Sequence, residues 1–234
     1  MRMKSYLSWL GMVVFVLLSN ASAQEPYHVR PGDDIQEVLE SAAKDSERKR
    51  IIVHAGTYRP GQRGQAMIWF NARHDGITLE AEGEVILTAA NPKLADKSTP
   101  SFPAIVNHVV YFGDGVSRKT ILRGFKITGA NGFLTVKDEP FNIQPKIEGD
   151  NLERAKFFYT DGGGIKIFGR SYPAIENVEV VDNFTSPCGA GVSVEHRGHT
   201  DGSKLQSVLM KNCIFRNNRC PISGAAVDLL HGSS

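Results

Sequence analysis

A short pattern of residues returns at a regular interval in the C-terminal third of the chain, and this limits the fold more than any other feature. The segments GGGIKIF, GAGVSVEH and GAAVDLL superpose when Ile165, Val192 and Val227 are aligned, with steps of 27 and 35 residues. Aligning Asn177 of ENVEVVDN with Asn212 of KNCIFRNN independently gives 35 again. Periods of roughly 20 to 45 residues built from short strands mark a stacked repeat, in which each unit buries its apolar face only against its neighbours. The spacing of Asn183 to Gly191 equals that of Asn218 to Ala226, so the 8 extra residues of the longer step fall between Val194 and Asn212, in HRGHTDGSK. A stacked repeat accepts such insertions where they bulge from the stack.

Within each repeat, apolar and polar residues alternate. Ile165 and Ile167 flank Lys166, Val192 and Val194 flank Ser193, and Val227 and Leu229 flank Asp228. Period-two alternation predicts strands with the apolar set inward and a polar outer wall, on which Lys166, Ser193 and Asp228 form a ladder about 4.8 Å per step. Asn183 and Asn218 follow apolar strands at their turns, where Asn tolerates the left-handed conformation and its amide reaches its counterpart one repeat away.

The preceding chain has the same character. MIWF, GITLEAEG, VILTA, NHVVYFG and TILRGFKITG are short apolar runs bounded by Gly, Asn, Asp or Pro. Residues 33–44 break the pattern: Ile35, Val38, Leu39 and Ala42 stand at helical spacing behind Asp33 and Asp34, which predicts one amphipathic helix. The run Ile51–Val53 then reads as a strand entering the corner AGTYRPG. Two long insertions, 132–160 and 196–204, read as lateral loops.

Arg2 and Lys4, the apolar run 7–18 and the small residues Ala21 and Ala23 have the order of a secretory signal peptide over 1–23. The run of 12 residues is short of the roughly 20 that a membrane span needs. Residues 24–234 then suit a single domain without membrane attachment, secreted, periplasmic or on the cell surface. Removing Arg2 and Lys4 takes the net charge of +2 to about zero, which gives no basis for a nucleic-acid partner. Three cysteines are too few for a disulfide scaffold. Cys213 falls at an apolar position of the repeat, and Cys188 pairs with Cys220 if neighbouring repeats bring them close. Asn183, Phe184 and Thr185 match a glycosylation acceptor.

The helix, the corner IIVHAGTYRP and the repeats GGGIKIF, ENVEVVDN, GAGVSVEH and KNCIFRNN resemble secreted right-handed parallel β-helix proteins of the pectin lyase-like superfamily. The resemblance implies an all-β solenoid whose N-terminal helix caps one open end. It also implies action on extracellular polysaccharide, by lyases or hydrolases that use basic residues, carboxylates and in some cases calcium. The chain stops at Ser234 just after GAAVDLLHG opens a further repeat, which predicts the N-terminal part of a longer, monomeric protein.

The candidate chemistry lies on the outer ladder and the loop after it. A lyase needs a base for the proton beside a uronate carboxylate and cations for the developing enolate, which Lys166, Arg197 and His196 would supply. Ser193, Glu195 and His199 would contact substrate. Asp228 with Glu195 would offer oxygen ligands to calcium, the one cofactor the pattern admits. His196 and His199 lack a third ligand for zinc, and DGGGIK lacks the spacing of a phosphate loop. Phe112 and Phe168 come to equivalent outward positions if Gly113 matches Gly169, either stacking on sugar rings or buried beneath a loop. The competing expectation is a solvated polar wall on a non-catalytic stalk or adhesive surface protein.

Overall fold

In a computed structural model the described residues are 24–132, 161–186, 188–196 and 206–230. The chain runs through β1 (Tyr27–Val29), α1 (Ile35–Lys44), β2 (Arg50–Tyr58), β3 (Gly64–Phe70), β4 (Thr78–Thr88), β5 (Val106–Phe112) and β6 (Ile121–Thr128). It continues through β7 (Ile165–Phe168), β8 (Ala174–Glu176), β9 (Glu179–Val181), β10 (Val192–Glu195), β11 (Leu209–Lys211), β12 (Ile214–Arg216) and β13 (Val227–Leu230). From β2 onward the chain alternates between two parallel sheets, neither of which closes on itself. The first has the order β1-β2-β4-β6-β8-β11, with β9 and β12 beside it, and the second β13-β10-β7-β5-β3.

The register is the one that the repeat dictates. Val192 pairs with Ile165 on one side and Val227 on the other, and Ser193 lies between Lys166 and Asp228. The core fills the space between the sheets, with Ile51, Leu79, Leu122 and Ile175 from the first facing Ile68, Val110, Ile165 and Val192 from the second. Each such side chain contributes roughly 1.5–3 kcal/mol by leaving water. Ile165 is preceded by a corner of three glycines that the stacking requires. A Cβ on Gly163 would stand 2.7 Å from the Ala190 carbonyl, and one on Gly164 would stand 2.7 Å from that of Gly191.

The helix α1 starts at Asp34, whose side chain accepts from the backbone N–H groups of Gln36 and Glu37. It buries Ile35, Leu39 and Ala42, and packs on β1, β2 and β3. The corner after Val53 differs from expectation. β2 continues to Tyr58 across a register shift between His54 and Gly56, so AGTYRPG begins as strand. The segments GITLEAEG and VILTA likewise form one strand, β4, with a shift between Glu80 and Val85. No described helix is long and apolar enough to cross a membrane.

The asparagine ladder joins successive repeats. Asn183 Nδ2 donates to Asn218 Oδ1 at 3.1 Å, and Asn212 Nδ2 donates to Asn177 Oδ1 at 3.2 Å. Among the described residues the left-handed positions other than glycine are Asn177, Asp182, Asn212 and Asn217, so at the second turn the strained position precedes Asn183 and Asn218. Asn183 is buried and its amide also donates to Ile127 O and Val181 O, which closes it as a glycosylation acceptor. All three thiols are free: Cys188 is not bonded to Cys220, its backbone pairing with Ser223 in a parallel bridge, while Cys213 is half-buried against the core.

Candidate functional site

The outward face of the second sheet gathers the ionisable groups that the sequence distributes over three repeats. Because the strands are parallel and in register, Tyr111, Lys166, Ser193 and Asp228 line up from β5 to β13. One step along the strands, Phe168 lies beside Glu195. The expectation of a solvated wall is corrected here. Lys166, Ser193 and Glu195 are fully buried and Asp228 is 8 % exposed. A parallel sheet covered on both faces carries polar residues inward only if they find partners. Lys166 Nζ donates to Ser193 Oγ at 3.0 Å and reaches Glu195 Oε2 at 3.4 Å.

That pairing changes the chemistry assigned to both residues. Glu195 is engaged by an ammonium, which opposes its use as a calcium ligand with Asp228, and no group of three metal-ligating side chains converges among the described residues. Lys166 in turn has its charge balanced. Asp228 accepts 3.4 Å contacts from Ser223 Oγ at both carboxylate oxygens. His196 is buried, its Nε2 donates to the Ser171 carbonyl at 3.0 Å, and its ring packs on Tyr172 at 4.8 Å between centroids. Arg197 and His199 lie outside the described residues, as do most of both inserted loops.

The two phenylalanines are not equivalent. Phe112 pairs with Ile167, one residue out of step with the alignment on Gly113 and Gly169, and a one-residue slip moves a side chain to the opposite face of a strand. Phe112 therefore enters the core and stacks on Phe70 at 4.7 Å. Phe168 stays on the outward face, buried, with Lys166 Nζ 5.7 Å from its ring centre.

Asp161 is the residue that sequence reasoning missed. It stands directly before the triple-glycine corner, 1 % exposed, and neither carboxylate oxygen meets a hydrogen-bond donor at good geometry. Burial pushes its pKa up to about 6; Lys166 and the Cys188 backbone N–H oppose the rise, while Glu195 and Asp228 add to it. A carboxyl that keeps its proton toward neutrality beside other carboxylates is an acid-catalyst arrangement. The available signal was an acidic residue fixed at a corner one turn before the ladder lysine. Comparison of the chain with protein-family models, with curated proteins and with solved structures finds no match.

Proposed function

We propose that the protein is a secreted right-handed parallel β-helix of the pectin lyase-like kind. In this proposal it binds and cleaves extracellular polysaccharide by acid–base chemistry on the outward face of its second sheet. The alternation of the chain between two parallel sheets supports the helical winding, and parallel crossovers are right-handed in about 98% of cases. The packing of α1 on the first strands of both sheets supports its role as a cap. The observation that carries the chemistry is Asp161, a buried carboxyl without a well-aligned hydrogen-bond donor, its pKa pushed up to about 6 by burial beside Lys166, Glu195 and Asp228.

Hydrolysis suits this set better than elimination, because the one described cation of the cluster is engaged by Glu195. Asp161 donates its proton to the glycosidic oxygen, water attacks the anomeric carbon, and Asp228 accepts the proton that the water releases. Incubation with neutral and acidic polysaccharides, with and without calcium, tests the proposal. New reducing ends that disappear in Asp161→Asn support it. Unsaturated products would replace hydrolysis by lyase chemistry. The complete burial of Lys166 and Glu195 favours a second reading, a non-catalytic stalk stiffened by an internal ion pair, and that reading expects no product and no binding with any glycan.

A further inference from the structure

The outward face of the first sheet carries a hydrogen-bonded chain of three ionisable side chains at its N-terminal edge. His54 Nδ1 lies 2.7 Å from Glu82 Oε2, and His54 Nε2 lies 2.9 Å from His28 Nδ1. His54 and Glu82 are register partners on β2 and β4, while His28 belongs to β1, a three-residue strand that among the described residues pairs with β2 alone. The two rings are 17° from parallel with centroids 5.1 Å apart. That separation matches two imidazoles meeting end to end through their nitrogens, the arrangement of a straight N–H···N bond.

The protons of this chain are fixed by its acceptor. Glu82 accepts, so His54 carries its proton on Nδ1 and offers a lone pair at Nε2, to which His28 donates from Nδ1. One added proton is accommodated at His28 Nε2, because the resulting imidazolium still donates to His54. A second has only His54 Nε2 to bind, where it would face the His28 Nδ1–H across 2.9 Å with two donors and no acceptor. We propose that Glu82, His54 and His28 form a clasp that counts protons, holding the edge strand β1 on β2 while it carries no more than one extra proton and releasing it at the second.

Besides the clasp, β1 is held by its ladder with β2, by Val29 in the core, and by Tyr27, whose Oη donates to Asp45 Oδ2 at 3.0 Å and accepts from Arg48 Nη2 at 2.9 Å. Tyr58 Oη donates to His54 O at 2.8 Å and reaches Val29 O at 3.3 Å, and Pro31 closes over Gly56 at the register shift. The other charged groups on the elements packed around the pair are Arg30 and Asp33 after β1, Arg50 on β2, Glu80 and Glu84 on β4, and Glu37, Glu40 and Lys44 on α1. Arg50 is bonded to Glu80, and Glu40 to Arg73 and His74, so these charges are already balanced locally.

Amide hydrogen exchange of the full chain tests the clasp between pH 7.5 and 5, the range over which imidazoles take up protons. After correction for the intrinsic pH dependence, protection of Tyr27–Val29 should fall about tenfold toward pH 5 while that of β4 and β6 holds. In His28→Phe, which keeps a ring but removes the nitrogens, protection of β1 should be low and independent of pH. Glu82→Gln keeps the acceptor but loses the charge, and β1 should be released at higher pH than in the parent chain. Constant protection in the parent, the same acid loss in His28→Phe, or an unmoved release pH in Glu82→Gln would each overturn the proposal.

Discussion

The outward faces of the two sheets use the same alternation of residues and reach opposite outcomes. On the first sheet, Glu80, Arg123 and Glu176 are register partners on β4, β6 and β8, and Arg123 bonds to both carboxylates while its side chain is 38 % exposed. On the second, Lys166 and Glu195 make a comparable pair with no exposure at all. Water shares the charge in the first case, and the protein alone must balance it in the second. An ion pair in water contributes little, whereas a buried pair is costly to break because one charge is then stranded. The second face is thus where a single substitution is most disruptive.

The largest effect follows from removing the ammonium beside the buried Glu195 carboxylate. Lys166→Met should cost about 3–5 kcal/mol in urea denaturation, and Lys166→Met with Glu195→Gln should recover at least half of it, because the carboxylate charge that Lys166 balanced is then also gone. A loss under about 1 kcal/mol for the single variant would place the pair in the same class as the exposed ladder and break the contrast between the faces.

Asp161 sharpens the contrast through pH. Its folded-state pKa of about 6 exceeds the ordinary value of 3.8, so between these the folded chain holds a proton that the unfolded chain has released. Stability from this group is therefore full below about pH 4, falls as pH rises, and is gone above about pH 6, a change of at most about 3 kcal/mol. Asp161→Asn should flatten the denaturation midpoint over that window. Asp45 acts in the other direction: Arg48 and nearby backbone N–H groups hold its carboxyl well below the usual range, so its contribution is lost only on further acidification. A parent chain whose stability rises from pH 4 to 6.5 would contradict the raised Asp161 carboxyl.

Much of this fold was legible in one dimension because a parallel stack converts sequence interval into spatial register. Ile165, Val192 and Val227 could be aligned by eye, and their pairing and the asparagine ladder followed. Burial of the outward face was not legible. Lys166 between two isoleucines reads alike whether water or protein lies over it, since covering is a property of segments distant in the chain. The slip at Phe112 has a different cause. The strands pair at an interval of 55, from Phe112 to Ile167, whereas Gly113 and Gly169 are 56 apart, so matching those glycines shifted the strand by one. Asp161 was hidden because glycine corners are read for shape, and the acidic residue before one gains its character only from the repeat stacked against it.

The smallest expected effect is on the exposed ladder, and it completes the test of the two faces. Arg123 donates to Glu176 Oε2 at 2.9 Å and to Glu80 Oε2 at 3.2 Å, so Arg123→Ala deletes two contacts from the middle of the row. Both carboxylates remain accessible to water and counter-ions, and Glu80 keeps its bond from Arg50. The loss should stay within about 1 kcal/mol and shrink further in 1 M salt, where screening falls to about 3 Å. Lys166→Met should show no such salt dependence, because ions do not reach its pair. A salt-insensitive loss above about 2 kcal/mol for Arg123→Ala would mean that the first face also works as a dry network, and the distinction between a solvated wall and a buried site would then not follow the two sheets.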